Sequence, residues 1–376
     1  MDALPPLSLY LHFPWCVRKC PYCDFNSHPA RGPIPETEYV AQMLSDLDRD
    51  LTASGRRTIQ TIFVGGGTPS LVSGRAIAML LDGVRARATL AFDAEITLEA
   101  NPGAVDEANF VEYRRAGVNR LSIGAQSFDA RHLRALGRIH EPRDIERAFG
   151  AAVRAGFERI NLDLMHGLPG QRIRDARDDL LRAIDLGASH VSWYQLTIEP
   201  RTEFALHPPT LPDDDTLGDI ETAGFDVLEA AGFERYEVSA FARPGERARH
   251  NVNYWLFGDY LGIGAGAHGK LTLDADRIVR TKKPLSPSRY LGSAAGELCE
   301  QVQIAQEALP GEFMLNALRL VDGVEPALFE ARTGRSLDVV EPIWRTQREL
   351  GLMRADRLAT TAIGLRYLDG VVAAFL

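Results

Sequence analysis

Cys16, Cys20 and Cys23 stand close together in a CxxxCxxC spacing and make up three of the four cysteines in the chain. Thiolates are soft ligands, and four of them would close either a zinc site or an iron–sulfur site. With three, a cubic 4Fe–4S cluster keeps one iron free of protein, and a free iron can bind substrate or cofactor. Zinc would need a fourth ligand. His12 and His28 are the local candidates, and neither has the spacing of a zinc finger. A disulfide fits poorly in a chain so poor in cysteine and without an export signal. Cys299 lies far off in a stretch that reads as helical, and is expected to be a plain buried thiol.

The elements that must position this loop follow from the pattern around it. An alternating apolar run, Leu7 to Phe13, reads as a first strand delivering the cysteines. Downstream, helical stretches close on Ala116-Gly117, Ala155-Gly156, Leu186-Gly187 and Ala231-Gly232, and a strand begins a few residues after each. Glycine just past a helix takes the left-handed conformation that turns the chain back. Strands are expected at 58–64, 95–100, 120–124, 160–165 and 190–196, with helices at 39–51 and 76–86 among the crossovers. Strand–helix alternation means a parallel sheet with right-handed crossovers, and chemistry then gathers at the carboxyl ends of the strands. Glycine and polar residues do cluster there: Gly65-Gly66-Gly67-Thr68-Pro69, Glu99-Ala100-Asn101-Pro102, Gln126, Asp163 and His166-Gly167. The glycine run lets backbone approach a ligand closely, because glycine has no Cβ. Read singly, these residues have plainer roles: Asp163 could cap a helix and Arg138 could pair with Glu141.

The second half is less regular. A helix is expected over 213–231 and a strand over 233–241, followed by His250-Asn251-Val252-Asn253-Tyr254-Trp255 and a glycine-rich run, Gly258 to Gly269, containing His268. Histidine is a common axial ligand of haem iron, and aromatic rings pack on porphyrin faces. On residues alone, however, Tyr254 and Trp255 read as core and His250 as a hydrogen-bonded loop residue. The last stretch shows helical patterns at 313–320, 325–333 and 339–350, a short hairpin at 352–360 and a final helix from Ala362. Helices followed by a hairpin suggest a small winged-helix-like module.

Taken in order, Tyr10-Leu11-His12-Phe13-Pro14, the cysteine trio, GGGTP, EANP, GAQSF, DLMHGLP and HNxxYW resemble the radical S-adenosylmethionine (SAM) family. Within it they resemble the haem-chaperone branch related to oxygen-independent coproporphyrinogen III oxidase. The resemblance covers nearly the whole chain. It implies an α/β fold, a partial (β/α)6 barrel over residues 1–210, a connecting region over 211–300 with the HNxxYW motif, and an oxidase-type, mostly helical domain over 301–376. It also implies a 4Fe–4S cluster on Cys16, Cys20 and Cys23, and SAM contacts from Tyr10, His12, Gly65, Gly66, Gly67, Thr68, Glu99, Gln126, Arg138 and Asp163. Haem contacts are implied for His250, Tyr254 and Trp255, with His250 as iron ligand.

The function expected from the resemblance is to bind haem and deliver it to apo-haemoproteins, respiratory enzymes included. The alternative is decarboxylation of coproporphyrinogen III to protoporphyrinogen IX by radical chemistry. Two departures favour the chaperone: Phe25 stands where the oxidases have a further cysteine, and the chain starts only a few residues before its first strand. Oxidase activity is therefore not expected.

Composition agrees. The chain has 376 residues, 45% hydrophobic and 25% charged, with a net charge of −9. That negative balance argues against a nucleic-acid partner. No apolar run is long enough to span a membrane. Cytoplasmic placement is expected, with only peripheral contact to membrane-bound partners.

Overall fold

Every second residue of the first strand is apolar, and that alternation decides how the chain is layered. In the computed structural model, which describes residues 4–104, 107–274, 277–294 and 299–376, β1 (Leu7–Phe13) buries Leu7, Leu9, Leu11 and Phe13 against helices. Its other face carries Ser8, Tyr10 and His12. The same two-faced pattern recurs in β2 (Ile59–Gly66), β3 (Leu90–Ala100), β4 (Arg120–Gln126), β5 (Arg159–His166) and β6 (His190–Gln195). All six run parallel in the order β1 to β6. The crossovers carry α1 (Glu36–Ala53), α2 (Gly74–Arg85), α3 (Glu107–Ala116), α4 (Pro142–Arg154) and α5 (Ile173–Leu186), with α6 (Asp214–Ala230) following β6. Gly117, Gly156, Gly187 and Gly232 close four of these helices with φ between 78° and 103°, the left-handed turn expected for them.

An ordinary parallel sheet has two apolar faces because helices cover both. Here the inner face is polar. Glu95, Thr97 and Glu99 alternate along β3, Ser122 and Gly124 along β4, Asn161 and Asp163 along β5, and His190, Ser192 and Tyr194 along β6. The register sets these side by side, with Glu99 opposite Ser122, Gly124 opposite Asp163 and Asp163 opposite Ser192.

The sheet is larger than the six strands expected. The run 233–241 is an antiparallel hairpin, β7 (Glu234–Glu237) and β8 (Ala240–Ala242), added to β6, and not a single strand. After the helix α7 (Arg249–Trp255), the glycine-rich run forms β9 (Asp259–Ile263) and the start of β10 (His268–Asp274). β9 pairs parallel to β1, with Leu7 opposite Asp259, so a seventh parallel strand flanks the cysteine-bearing one. β10, β11 (Arg277–Lys282) and β12 (Glu300–Gln303) continue antiparallel. Cys299 immediately precedes β12 and is half-buried. It is not in a helix, and residues 295–298 before it lie outside the described ones.

A second core gathers Phe313, Met314, Phe329, Trp344 and Val371 from helices at Leu309–Ala317, Pro326–Thr333, Glu341–Glu349 and Leu368–Ala373, with Leu358 from the bridged segment between the last two. Phe257 and Ile278 reach into it from the sheet side. Antiparallel bridges join Met353 to Thr360 and Val324 to Leu358. Among the described residues, no helix is long and apolar enough to cross a membrane.

Candidate cluster and cofactor site

Two adjoining cavities open at the carboxyl ends of the strands. The first, about 440 Å³, is lined by Cys16, Cys20 and Cys23 on one side and by strand ends on the other. The cysteine loop is folded by its own backbone, with the Cys23 N–H donating to the Cys20 carbonyl at 3.1 Å. The thiols face the same cavity, yet among the described residues no group of three His, Cys, Asp or Glu side chains converges to hold a single metal ion. A zinc ion needs its ligands on one point, whereas a cubic cluster takes one thiolate at each of several corners. The histidines proposed as a fourth zinc ligand are committed elsewhere. His12 Nε2–H donates to the Asn26 carbonyl at 2.9 Å and its Nδ1 accepts from the Tyr10 hydroxyl at 2.7 Å. His28 Nε2 faces Asn26 and the Leu285 carbonyl. The donor set fits a cluster.

Burial pushes the Cys16 and Cys23 thiols up, with Ser27 opposing it. A cation stands beside Cys20. Arg138 is anchored by the Gly124 carbonyl at 3.0 Å and reaches Cys20 Sγ at 3.7 Å. It does not pair with Glu141, which faces Arg143 instead.

Opposite the thiols stand two buried carboxyls. Burial, and then the charge of Asp163, push Glu99 up to about 8, although the Gly66 N–H donates to it at 3.0 Å. Burial likewise raises Asp163, whose oxygens accept from Ser122 at 2.8 Å and Asn161 at 2.8 Å. Asp163 caps no helix. Two carboxyls held at this cost suit a cationic ligand that repays their desolvation. Gln126 carries φ 60°, rare for a residue with a side chain, and among the described residues its buried Oε1 has no partner. Backbone strain aimed into a cavity is a recognised mark of a ligand site.

The glycine run meets the chain as well as the cavity. A Cβ on Gly66, at φ 121°, would lie 2.6 Å from the Phe13 carbonyl, and one on Gly67 would strike the Trp15 carbonyl. These glycines first let β2 close against the strand that delivers the cysteines, and only then border the ligand space.

The second cavity, about 1000 Å³, shares Cys23, Phe25, Gly66 and Glu99 with the first as a common wall. Tyr10, Phe63, Tyr254, Trp255 and Tyr260 supply its aromatic surface. Tyr254 meets Tyr260 edge-on at 4.8 Å, and Arg319 covers Trp255 at 4.3 Å. His250 is not brought here. It is buried beneath Phe63, stacked at 4.5 Å, and its Nδ1 faces Glu95 Oε1 at 3.0 Å. The HNxxYW motif is therefore divided: its histidine belongs to the polar interior and its two aromatics to the cavity.

Residues 10–183 match the Radical SAM superfamily model. The "Heme chaperone HemW" of Escherichia coli K12 is 50% identical over the full length of both chains. That of Haemophilus influenzae is 46% identical over all of this chain and 99% of its own. The chain belongs to the HemW family. The solved structure described as "Coproporphyrinogen III oxidase (HemN) from Escherichia coli" superposes with a TM-score of 0.83 over 99% of this chain and 90% of that one, at 22% identity. That likeness carries the fold. Membership in a radical SAM family implies SAM and an iron–sulfur cluster.

For this HemW-family chain, the sequence pointed to strand ends that border the two cavities but missed much of what lines them. Tyr22, Ser122, Asn161, Met165, Tyr194 and Glu199 were not singled out, though all but Asn161 line the first cavity and Asn161 orients Asp163. A signal was available: polar residues at every second position of β3 to β6, in strands that helices should have made wholly apolar. His268, passed over inside a glycine-rich run, lines the second cavity.

Proposed function

We propose that this chain is a haem chaperone. It holds a 4Fe–4S cluster on Cys16, Cys20 and Cys23, takes SAM in the adjoining cavity, and carries haem for delivery to apo-haemoproteins, respiratory enzymes among them. The observation that supports this most is the second cavity. It is large, open and walled by aromatic rings, and it lies next to the thiols, so a flat macrocycle can be held without being sealed in. A carrier needs that compromise, because release rate limits delivery. The full-length likeness to chaperone-named relatives points the same way.

When bound, the cluster supplies an open iron for the amino and carboxylate groups of SAM and an electron for its sulfonium. This chain's residues do the positioning. Glu99 and Asp163 face the ligand's positive groups, and Arg138 steadies the Cys20 thiolate. Gln126 presents an amide whose oxygen is free to accept. Tyr10 and His12 lock each other and fix the strand end beneath the glycine turn.

The test is an optical titration of the anaerobically reconstituted protein with haemin, run beside a coproporphyrinogen III assay with SAM and reductant. Saturable haem binding without protoporphyrinogen IX is expected. Formation of that product, with haem bound no better than by an unrelated protein, would replace the chaperone with the oxidase.

A further inference from the structure

We propose that His268 is the protein ligand of haem iron and that Lys282 and Arg201 hold the propionates, an inference that rests on the haem reading above. Two imidazoles line the larger cavity, His12 and His268. Both ring nitrogens of His12 are already engaged, by Tyr10 and by the Asn26 carbonyl. His250 is separated from the cavity by the ring of Phe63 and turned toward Glu95.

His268 differs from both. It begins β10, is exposed to the cavity, and among the described residues no group hydrogen-bonds its ring. Burial, then the charges of Lys282 and Arg280, lower its pKa. An unengaged imidazole on the wall of a large cavity has the chemistry of an axial ligand.

The charges around it are arranged for a dianion with an apolar body. Lys282 stands directly opposite His268 on the neighbouring antiparallel strand. Opposed residues on such strands point to the same face, with Cβ atoms about 5 Å apart. Arg201 lies on the same cavity and holds φ 67°, an uncommon backbone state for arginine. The carboxylates Asp24, Glu99 and Glu199, with Lys19, belong to the wall shared with the first cavity, whereas Arg201, His268 and Lys282 line the second cavity alone. Tyr254, Trp255 and Tyr260 complete it with flat apolar surface. An iron porphyrin carries these three features together: a metal, a planar hydrocarbon face and two carboxylates on one edge.

The experiment titrates the cluster-loaded, full-length protein with haemin and follows both affinity and the Soret band. His268→Ala is expected to weaken binding about tenfold or more, the scale of losing a metal ligand or its support, and to move the Soret band. His268→Met should give a third spectrum, because a thioether would replace the imidazole. Lys282→Gln should weaken binding of haemin but not of its dimethyl ester, which has no carboxylates to hold. Thermal melting of each variant like the wild type shows that the fold is intact, as the exposure of both side chains leads one to expect. If wild type and both His268 variants bind haemin alike with the same spectrum, the ligand assignment is wrong while the haem reading stands. If the wild type itself does not bind, the haem reading falls and takes this assignment with it.

Discussion

Replacing His250 by alanine should cost stability and leave haem binding almost untouched. The imidazole lies over Glu95, a fully buried carboxylate whose other oxygen faces the Arg120 guanidinium at 3.6 Å. Removing one partner of a buried pair costs about 3–5 kcal/mol. Glu95 keeps the backbone N–H of Arg249 at 2.9 Å and of His250 at 3.2 Å, so the lower end applies. Loss of the stack on Phe63 contributes about 1 kcal/mol more, and together the change is about 4 kcal/mol. Unfolding entropy near 2.1 cal/mol/K per residue, taken over 376 residues, converts this to a fall in Tm of about 5 °C.

The pH dependence is signed. Burial pushes Glu95 up, but the hydrogen bonds and charge of His250 and Arg120 outweigh it and hold the carboxyl below its usual range. A depressed carboxyl contributes stability above its unfolded value, about 4.3, and loses it as pH falls through the folded one. The variant should therefore show a shallower acid limb below about pH 4.3 than the wild type. Differential scanning calorimetry from pH 3 to 7, with a parallel haemin titration, measures both effects. A variant that melts like the wild type but has lost the haem spectrum would refute this reasoning and return His250 to the iron.

Changing any one of Cys16, Cys20 or Cys23 to alanine should abolish the broad visible absorption of the reconstituted cluster, whereas Cys299→Ala should keep it; iron counts per chain decide. With Glu99 pushed up to about 8, the carboxyl is largely protonated at pH 7, and a cation placed against it drives the proton off. SAM binding at pH 7 should then release close to one proton, read as a buffer-dependent enthalpy in calorimetry. Glu99→Gln should abolish that release, and an unchanged proton count in the variant would remove Glu99 from the site. Gly66→Ala, forced to φ 121° against the Phe13 carbonyl, should lower stability by about 1–3 kcal/mol; an unchanged melting curve would show that the turn relaxes freely.

Local pattern carried the regular half of the chain well. Leu7–Phe13 alternates and is a strand over those residues, and the glycines that close the crossover helices sit where the left-handed turn is needed. The cysteine loop was legible because its chemistry is written in adjacent residues. β9 was not, because its partner β1 lies some two hundred and fifty positions away, between Leu7 and Asp259, and a pairing of that separation leaves no periodic trace. The glycines of β9 and β10 also hid strands. An added Cβ on Gly262 would strike the His268 carbonyl, so glycine there marks close strand approach and not a loop. His250 and Tyr254 are one helical turn apart, which puts them on one face but does not say how deep each lies. Depth was decided by Phe63 and Glu95, contributed by strands far away in sequence.

The wall common to the two cavities sets a thermodynamic obligation. Gly66, Glu99, Cys23 and Phe25 border both spaces, so occupants of the two compartments would touch the same side chains. If an occupant of the first alters the hold on cargo in the second by some factor, that cargo must alter the hold on the first occupant by the same factor. If the chain carries haem as proposed, measuring how tightly the small cavity keeps its contents, with and without haem, gives the loading bias of the large one.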